Sequence, residues 1–228
     1  NENLNGDPVA AQFTADIALA TRASGTTWDN GDRIGITDIG NDTQYGNVPF
    51  ILKNGKFEAE KKVIYIEDTK PHTFRAYYPY NAAGGILAAT TDATAQQNQS
   101  SIDFLFATGA TGDKNSPVVS FTNKTGKGGE DNSFHHRMSR ITLTLEAGDG
   151  VDFSVVKPER YTLDALILTG TFNTADGIAT ADDGAQAESL AMDLTDGNLT
   201  SSVILFPQTA TSLPLVVNYK GQEYHATL

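Results

Sequence analysis

Residues 133–145 read Ser-Phe-His-His-Arg-Met-Ser-Arg-Ile-Thr-Leu-Thr-Leu (SFHHRMSRITLTL). Two adjacent histidines beside arginines and serines suggest chemistry; the alternating tail suggests a strand. Neighbouring side chains on a strand point to opposite faces, so His135 and His136 cannot jointly grip one metal without a bulge. The other histidines, His72 and His225, offer neither HxH nor HExxH spacing. Ser133 and Ser139 lie in no G-x-S-x-G elbow, and nothing in the order of residues points to a Ser/His/Asp triad. The hydrophobic pattern is more informative. Phe134 and Met138 share one parity, whereas Ile141, Leu143 and Leu145 share the other. The apolar face therefore switches near Ser139-Arg140. A β-bulge does this by inserting one residue, and so does a strand that runs from one sheet to another.

Working outward, the same period of two dominates the chain. Phe13, Ala15, Ile17 and Leu19 alternate in QFTADIALA, and Phe74, Ala76 and Tyr78 in TFRAYYPY. Further runs rich in β-branched and aromatic residues are RIGITDI (33–39), KVIYIE (62–67), IDFLFA (102–107), PVVSFTN (117–123), TLDALILTG (162–170), SVILFP (202–207) and LPLVVNY (213–219). Turn signals such as NGD (30–32), KNGK (53–56), AGDG (147–150), TADG (174–177) and TDGN (195–198) punctuate the gaps. The best helical candidate, residues 81–97, contains Gly84-Gly85 and many threonines and reads as a long loop with one turn. The chain is all-β. About a dozen strands exceed one small sandwich and divide into two, each burying a pair of inner faces. NKTGKGGEDNS (123–133) and EAGDG (146–150) are the candidate junctions. Strand counting favours the second, giving a first sandwich at 1–147 and a second at 148–228.

The balance of 16 Lys+Arg against 28 Asp+Glu, net −12, provides no attraction for nucleic acid, and no basic block exists to create one locally. Zero cysteines exclude disulfides and thiolate chemistry. No run reaches the roughly 18 apolar residues of a membrane-spanning helix. The start at Asn1 is polar, lacks a signal-peptide core and reads as processed. The acidic turns DNGD (29–32) and ADDG (181–184) miss the calcium-loop spacing, and turn chemistry accounts for them. Tyr77, Tyr78 and Tyr80 would stack on sugar rings if exposed, but strand tyrosines belong first to a core. GATGDKNS (109–116) lacks the Gly-Lys-Ser/Thr of a phosphate loop. The sequons at Asn41, Asn98, Asn123 and Asn198 are what an Asn/Thr-rich chain produces by chance.

LATRASGTTWDNGDRIGI (19–36), FRAYYPY (74–80), DFLFA (103–107), FHHRMSRITLTL (134–145) and LILTGTFN (166–173), in this order, resemble the fimbrillin-like family. These are secreted lipoprotein subunits of type V pili in Bacteroidales. The resemblance implies two tandem transthyretin-like β-sandwich domains, no enzymatic activity and no cofactor or metal. It also implies a cell-surface, outer-membrane location, held by a lipid anchor that lies outside this sequence. Proteolysis would remove the first strand, and a strand from a neighbouring subunit would fill the groove. Phe13, Ile17 and Leu19 would be the core plugs of that displaceable strand, and Arg22 its cleavage point. Partners would be other pilus subunits, with surface glycans or proteins for an adhesin. The family pattern continues past LPLVVNYKGQEYHATL into a further terminal strand, which would lie beyond Leu228. A glycan-binding module using exposed tyrosines or Trp28 is the alternative reading.

Overall fold

The computed structural model describes residues 6–18, 27–40, 44–125 and 129–228. Each alternating run contributes a strand, though several strands are shorter than the run that marks them. The strands are β1 (Val9–Ala10), β2 (Gln12–Ala15), β3 (Arg33–Asp38), β4 (Val48–Lys53), β5 (Lys56–Ala59), β6 (Tyr65–Ile66), β7 (His72–Tyr78), β8 (Ile86–Thr90), β9 (Leu105–Gly112) and β10 (Val118–Phe121). They continue with β11 (His135–His136), β12 (Ser139–Thr144), β13 (Arg160–Leu166), β14 (Thr169–Asn173), β15 (Ile178–Ala181), β16 (Glu188–Asp193), β17 (Thr200–Leu205), β18 (Pro214–Tyr219) and β19 (Gln222–Thr227). One helical turn, α1 (Ala93–Gln96), is capped by the Asp92 side chain accepting from Ala95 N. The expected loop over 81–97 thus needs correcting. It contains strand β8, which the Gly84-Gly85 pair hides from a sequence reading. Both glycines have positive φ and turn the chain just before Ile86.

The chain divides into two compact units that draw on alternating segments: residues 1–87, 103–137 and 173–178, and residues 88–102, 138–172 and 179–228. In the first unit, eight strands form one sheet in the order β10-β2-β5-β4-β3-β7-β9-β11, and β1 pairs with β6. Asn54 and Gly55 both have positive φ, which matches the two-residue hairpin joining β4 to β5. The sheet folds over on itself. Phe13 on β2 and Phe74 on β7 lie four strands apart in the sheet order, about 19 Å if flat. Their ring centroids are 5.3 Å apart. The two halves of the sheet therefore face each other across a shared core, as in a sandwich.

In the second unit, β16-β13-β18-β19 form a four-stranded sheet and β12 pairs with β17. Tyr161, Leu163, Leu190, Val203 and Leu205 are buried together there, with Ile141 and Leu143 packed against them. SFHHRMSRITLTL is now explained. His135-His136 belong to β11, which pairs with β9, whereas Ser139–Thr144 belong to β12, which pairs with β17. The parity switch marks one stretch of chain passing from one sheet to another. No kink within a single strand is needed.

Candidate functional site: the first strand and its groove

β2 lies inside the eight-stranded sheet, between β10 and β5. Its two edges are held differently. On one side it runs parallel to β10, paired continuously from Gln12↔Val118 to Ala15↔Phe121. Gln12 N donates to Pro117 O and Asp16 N to Phe121 O, both at 2.9 Å. Phe134 N donates to Asp16 O at 2.9 Å and Ala18 N to Phe134 O at 2.8 Å, which extends the parallel line past Ile17. On the other side, pairing with antiparallel β5 is confined to Phe13↔Phe57. Continuing that register would set Ala11 against Ala59 and Ala15 against Gly55. Instead Ala11 N donates to Ile64 O at 2.9 Å, and the Ala15 carbonyl accepts the Trp28 indole N–H at 3.0 Å.

Phe13 is 2% exposed. Its ring meets Phe50 edge-on at 4.9 Å, Phe74 edge-on at 5.3 Å and Phe121 at 6.3 Å. One side chain thus joins rings from β4, β7 and β10. Ile17 is half-buried against the same core. Of the four residues expected to define the displaceable strand and its release, Phe13 and Ile17 stand together on one face. Leu19 and Arg22 lie outside the described residues. Sequence reasoning found Ala15 in the alternation but missed Ala11, which is buried in the same core. It also missed the Trp28 hydrogen bond and the parallel partner β10, whose pairing spans about a hundred residues and leaves no local pattern.

The other candidates take structural places. His135 Nε2 contacts Asp131 Oδ2 at 3.0 Å and His136 Nδ1 contacts Asp103 Oδ1 at 2.8 Å, so the adjacent histidines serve separate carboxylates. The Ser133 hydroxyl donates to Asp131 and, with the Ser133 backbone N–H and His135, holds its carboxyl below the usual range. Among the described residues no group of three or more His, Asp or Glu could hold a metal. Tyr77 is buried, and its hydroxyl donates toward Asn47 Oδ1 and Asn81 O, both at 2.8 Å. Tyr80 lies under the Arg33 guanidinium, and Trp28 makes edge contacts with Phe57, Tyr78 and Phe134. The tyrosines and Trp28 therefore do not form a bare aromatic platform for a sugar.

An all-β chain with β2 enclosed between β10 and β5 shares its architecture with solved proteins from Bacteroides. The closeness is quantitative. A solved "putative cell adhesion protein" from Bacteroides ovatus aligns with 97% of this chain and 86% of its own length, with a TM-score of 0.78 and 26% identity. A second from Bacteroides uniformis aligns over 96% and 84%, with a TM-score of 0.73 and 27% identity. The "Putative fimbrium subunit Fim1C" of Bacteroides uniformis is 29% identical over 233 aligned residues, covering 95% of this chain and 72% of that protein. The fimbrillin-like family model matches residues 21–228. The chain belongs to the fimbrillin-like family.

Proposed function

We propose that this chain is a non-enzymatic fimbrial subunit of the bacterial surface, exported as a lipoprotein precursor, that joins its neighbours by exchange of strands. β2 is the element exchanged. Cleavage after Arg22 would free it, leaving β10, β5 and the rings of Phe50, Phe74 and Phe121 without their partner. An apolar groove of this kind, flanked by unpaired backbone, favours refilling by another strand, because the incoming strand both satisfies N–H and C=O groups and buries alternate side chains. The single observation that carries this reading is the setting of Phe13. It is a core residue delivered by a short strand near the chain start, held to the sheet by main-chain pairing on β10.

A replacement strand must present an aromatic residue, a small residue and an aliphatic residue at alternate positions, as Phe13-Thr14-Ala15-Asp16-Ile17 does. β19 and the residue after it carry that order in Tyr224-His225-Ala226-Thr227-Leu228. Among the described residues β19 is an edge strand paired with β18 alone, and all six of its residues are exposed. This supports β19 of a second copy as the filling strand. The test is to treat the folded chain with an arginine-specific protease and follow mass and assembly together. Cutting at Arg22 followed by heat-resistant multimers is the expected result, and Arg22→Ala should leave monomers. Multimers that form equally well from the uncut Arg22→Ala chain would overturn the reading.

A further inference from the structure

The two edges of β2 differ enough to imply a route for its replacement. On the β10 edge every rung from Gln12 to Ala15 is made. On the β5 edge the ladder stops after Phe13↔Phe57. Either side of that rung is a cavity. One, of about 310 Å³, lies between Ala11–Thr14 and Lys56–Ala59. The other, of about 420 Å³, lies between Ala15–Ile17 and the Trp28, Leu52, Gly55 and Phe57 side. In a hairpin closed by Asn54-Gly55, alternate residues of β5 turn their N–H and C=O toward β4, and the others, Phe57 and Ala59, turn toward β2. Ala59 has no rung to β2 in the register, because its natural opposite, Ala11, bonds Ile64 instead. The β5 side thus keeps open space and unpaired backbone polarity on either side of the Phe13↔Phe57 rung while β2 is still in place.

Charge indicates what comes to this side. The second unit carries 12 Asp and Glu against 4 Lys and Arg, net −8. The stretch 53–62, which contains β5, carries Lys53, Lys56, Lys61 and Lys62 against Glu58 and Glu60. All four lysines are exposed, and Glu60 forms a two-pronged ion pair with Arg33. The β5 edge is therefore a locally positive rim on an acidic protein, complementary to the second unit of another copy.

We infer that the open β5 edge is a landing site for a second copy of this chain, on which the incoming strand pairs with β5 before β2 parts from β10. This rests on the strand-exchange reading and adds its order of events: replacement is associative, with the lysine rim drawing in the acidic unit that carries β19. Such steering changes encounter rates by about ten- to a thousandfold and fades with salt. Trp28 is the switch point, since its indole N–H ties the Ala15 carbonyl of β2 in place on the β5 side.

The experiment uses the full chain with a site-specific protease sequence inserted after Arg22, so that nicking does not depend on Arg22 itself. The nicked chain is the acceptor, and uncut chain at rising concentration is the donor. Loss of β2 is followed through a fluorescent label on the N-terminal segment of the nicked acceptor, which the donor does not carry. The expected result is a release rate that climbs with donor concentration, falls at high salt, and drops about tenfold at low salt in the acceptor variant Lys56→Glu/Lys61→Glu. A rate independent of donor concentration would mean that β2 leaves first, and would overturn the inference while strand exchange stands. A concentration-dependent rate indifferent to salt and to both lysines would remove the charged rim from the proposal. No capture of donor at any concentration would defeat the exchange reading and this inference with it. An acceptor Trp28→Phe, lacking the indole donor, should release β2 faster at every donor concentration.

Discussion

His72 shows how much of this protein is settled one side chain at a time. It opens β7 and is 5% exposed. Nδ1 contacts the buried Asp38 carboxylate at the end of β3, and Nε2 faces Asp68 Oδ1 at 3.5 Å. Burial alone would push the imidazolium down, but the Asp38 hydrogen bond and the two carboxylate charges outweigh it, so its pKa is raised above the ordinary 6.5. The sign follows from linkage. A group whose pKa is raised on folding binds its proton more tightly in the native state, so its contribution is full below the unfolded value and disappears as pH climbs through the folded value. Urea titrations between about pH 6 and pH 9 should therefore show stability falling with pH, and His72→Gln should flatten that part of the profile. A wild-type profile that rises over this window would refute the assignment. The histidine looked featureless in sequence because Asp38 is 34 residues away. Phe13 was legible, since its neighbours alternate visibly, yet the three rings around it come from strands that only the fold brings together.

Among the elements, α1 does more than its four residues suggest. β17 is paired with β12 along one edge from Thr200 to Leu205. Its other edge is closed by side chains. Gln96 Oε1 accepts from Ile204 N at 2.9 Å and Nε2 donates to Ile204 O at 2.7 Å, which reproduces a β-rung with an amide side chain. Gln99 Nε2 donates to Ser202 O at 2.7 Å, one rung further along. Gln96 Nε2 also reaches Thr91 O, and the residue is 5% exposed. Gln96→Leu would keep the volume and strand three buried main-chain groups, at roughly 2–4 kcal/mol. Equilibrium denaturation should show that loss with the β-sheet circular dichroism intact, and an unchanged midpoint would refute it. Elements defined by alternation were readable from the sequence in number and kind. The failures have a common physical cause. β8 follows two glycines that look like loop, and the glutamine rungs come from a helical turn whose partner strand is a hundred residues away, where periodicity says nothing. The first strand was expected to run through Leu19, whereas β2 is assigned only to Ala15, with Ile17 adding a single bridge.

At the scale of the whole chain, the organisation into two units rests on long-range pairing. The sequence division at 147/148 separates two sets of runs, and the second-unit core residues Tyr161, Leu163, Leu190, Val203, Leu205 and Leu215 all follow it. Yet β17, which supplies Val203 and Leu205, would lose both of its neighbours in that cut. β12 (Ser139–Thr144) and the glutamines of 96–99 precede residue 148. A strand with two open edges and no hydrogen-bonded partner has no independent stability, and its apolar face then favours intermolecular pairing. Residues 148–228 expressed alone should therefore show no cooperative urea transition and should self-associate. Residues 138–228, which regain β12 with Ile141 and Leu143, should recover a partial transition. Co-expression of 1–147 with 148–228 should give a folded complex, because β12 and Gln96 then return to β17 from the other piece. A cooperative, monomeric 148–228 with the wild-type midpoint would establish 147/148 as a true domain junction and would show that the pairing of β12 with β17 is dispensable for the second unit.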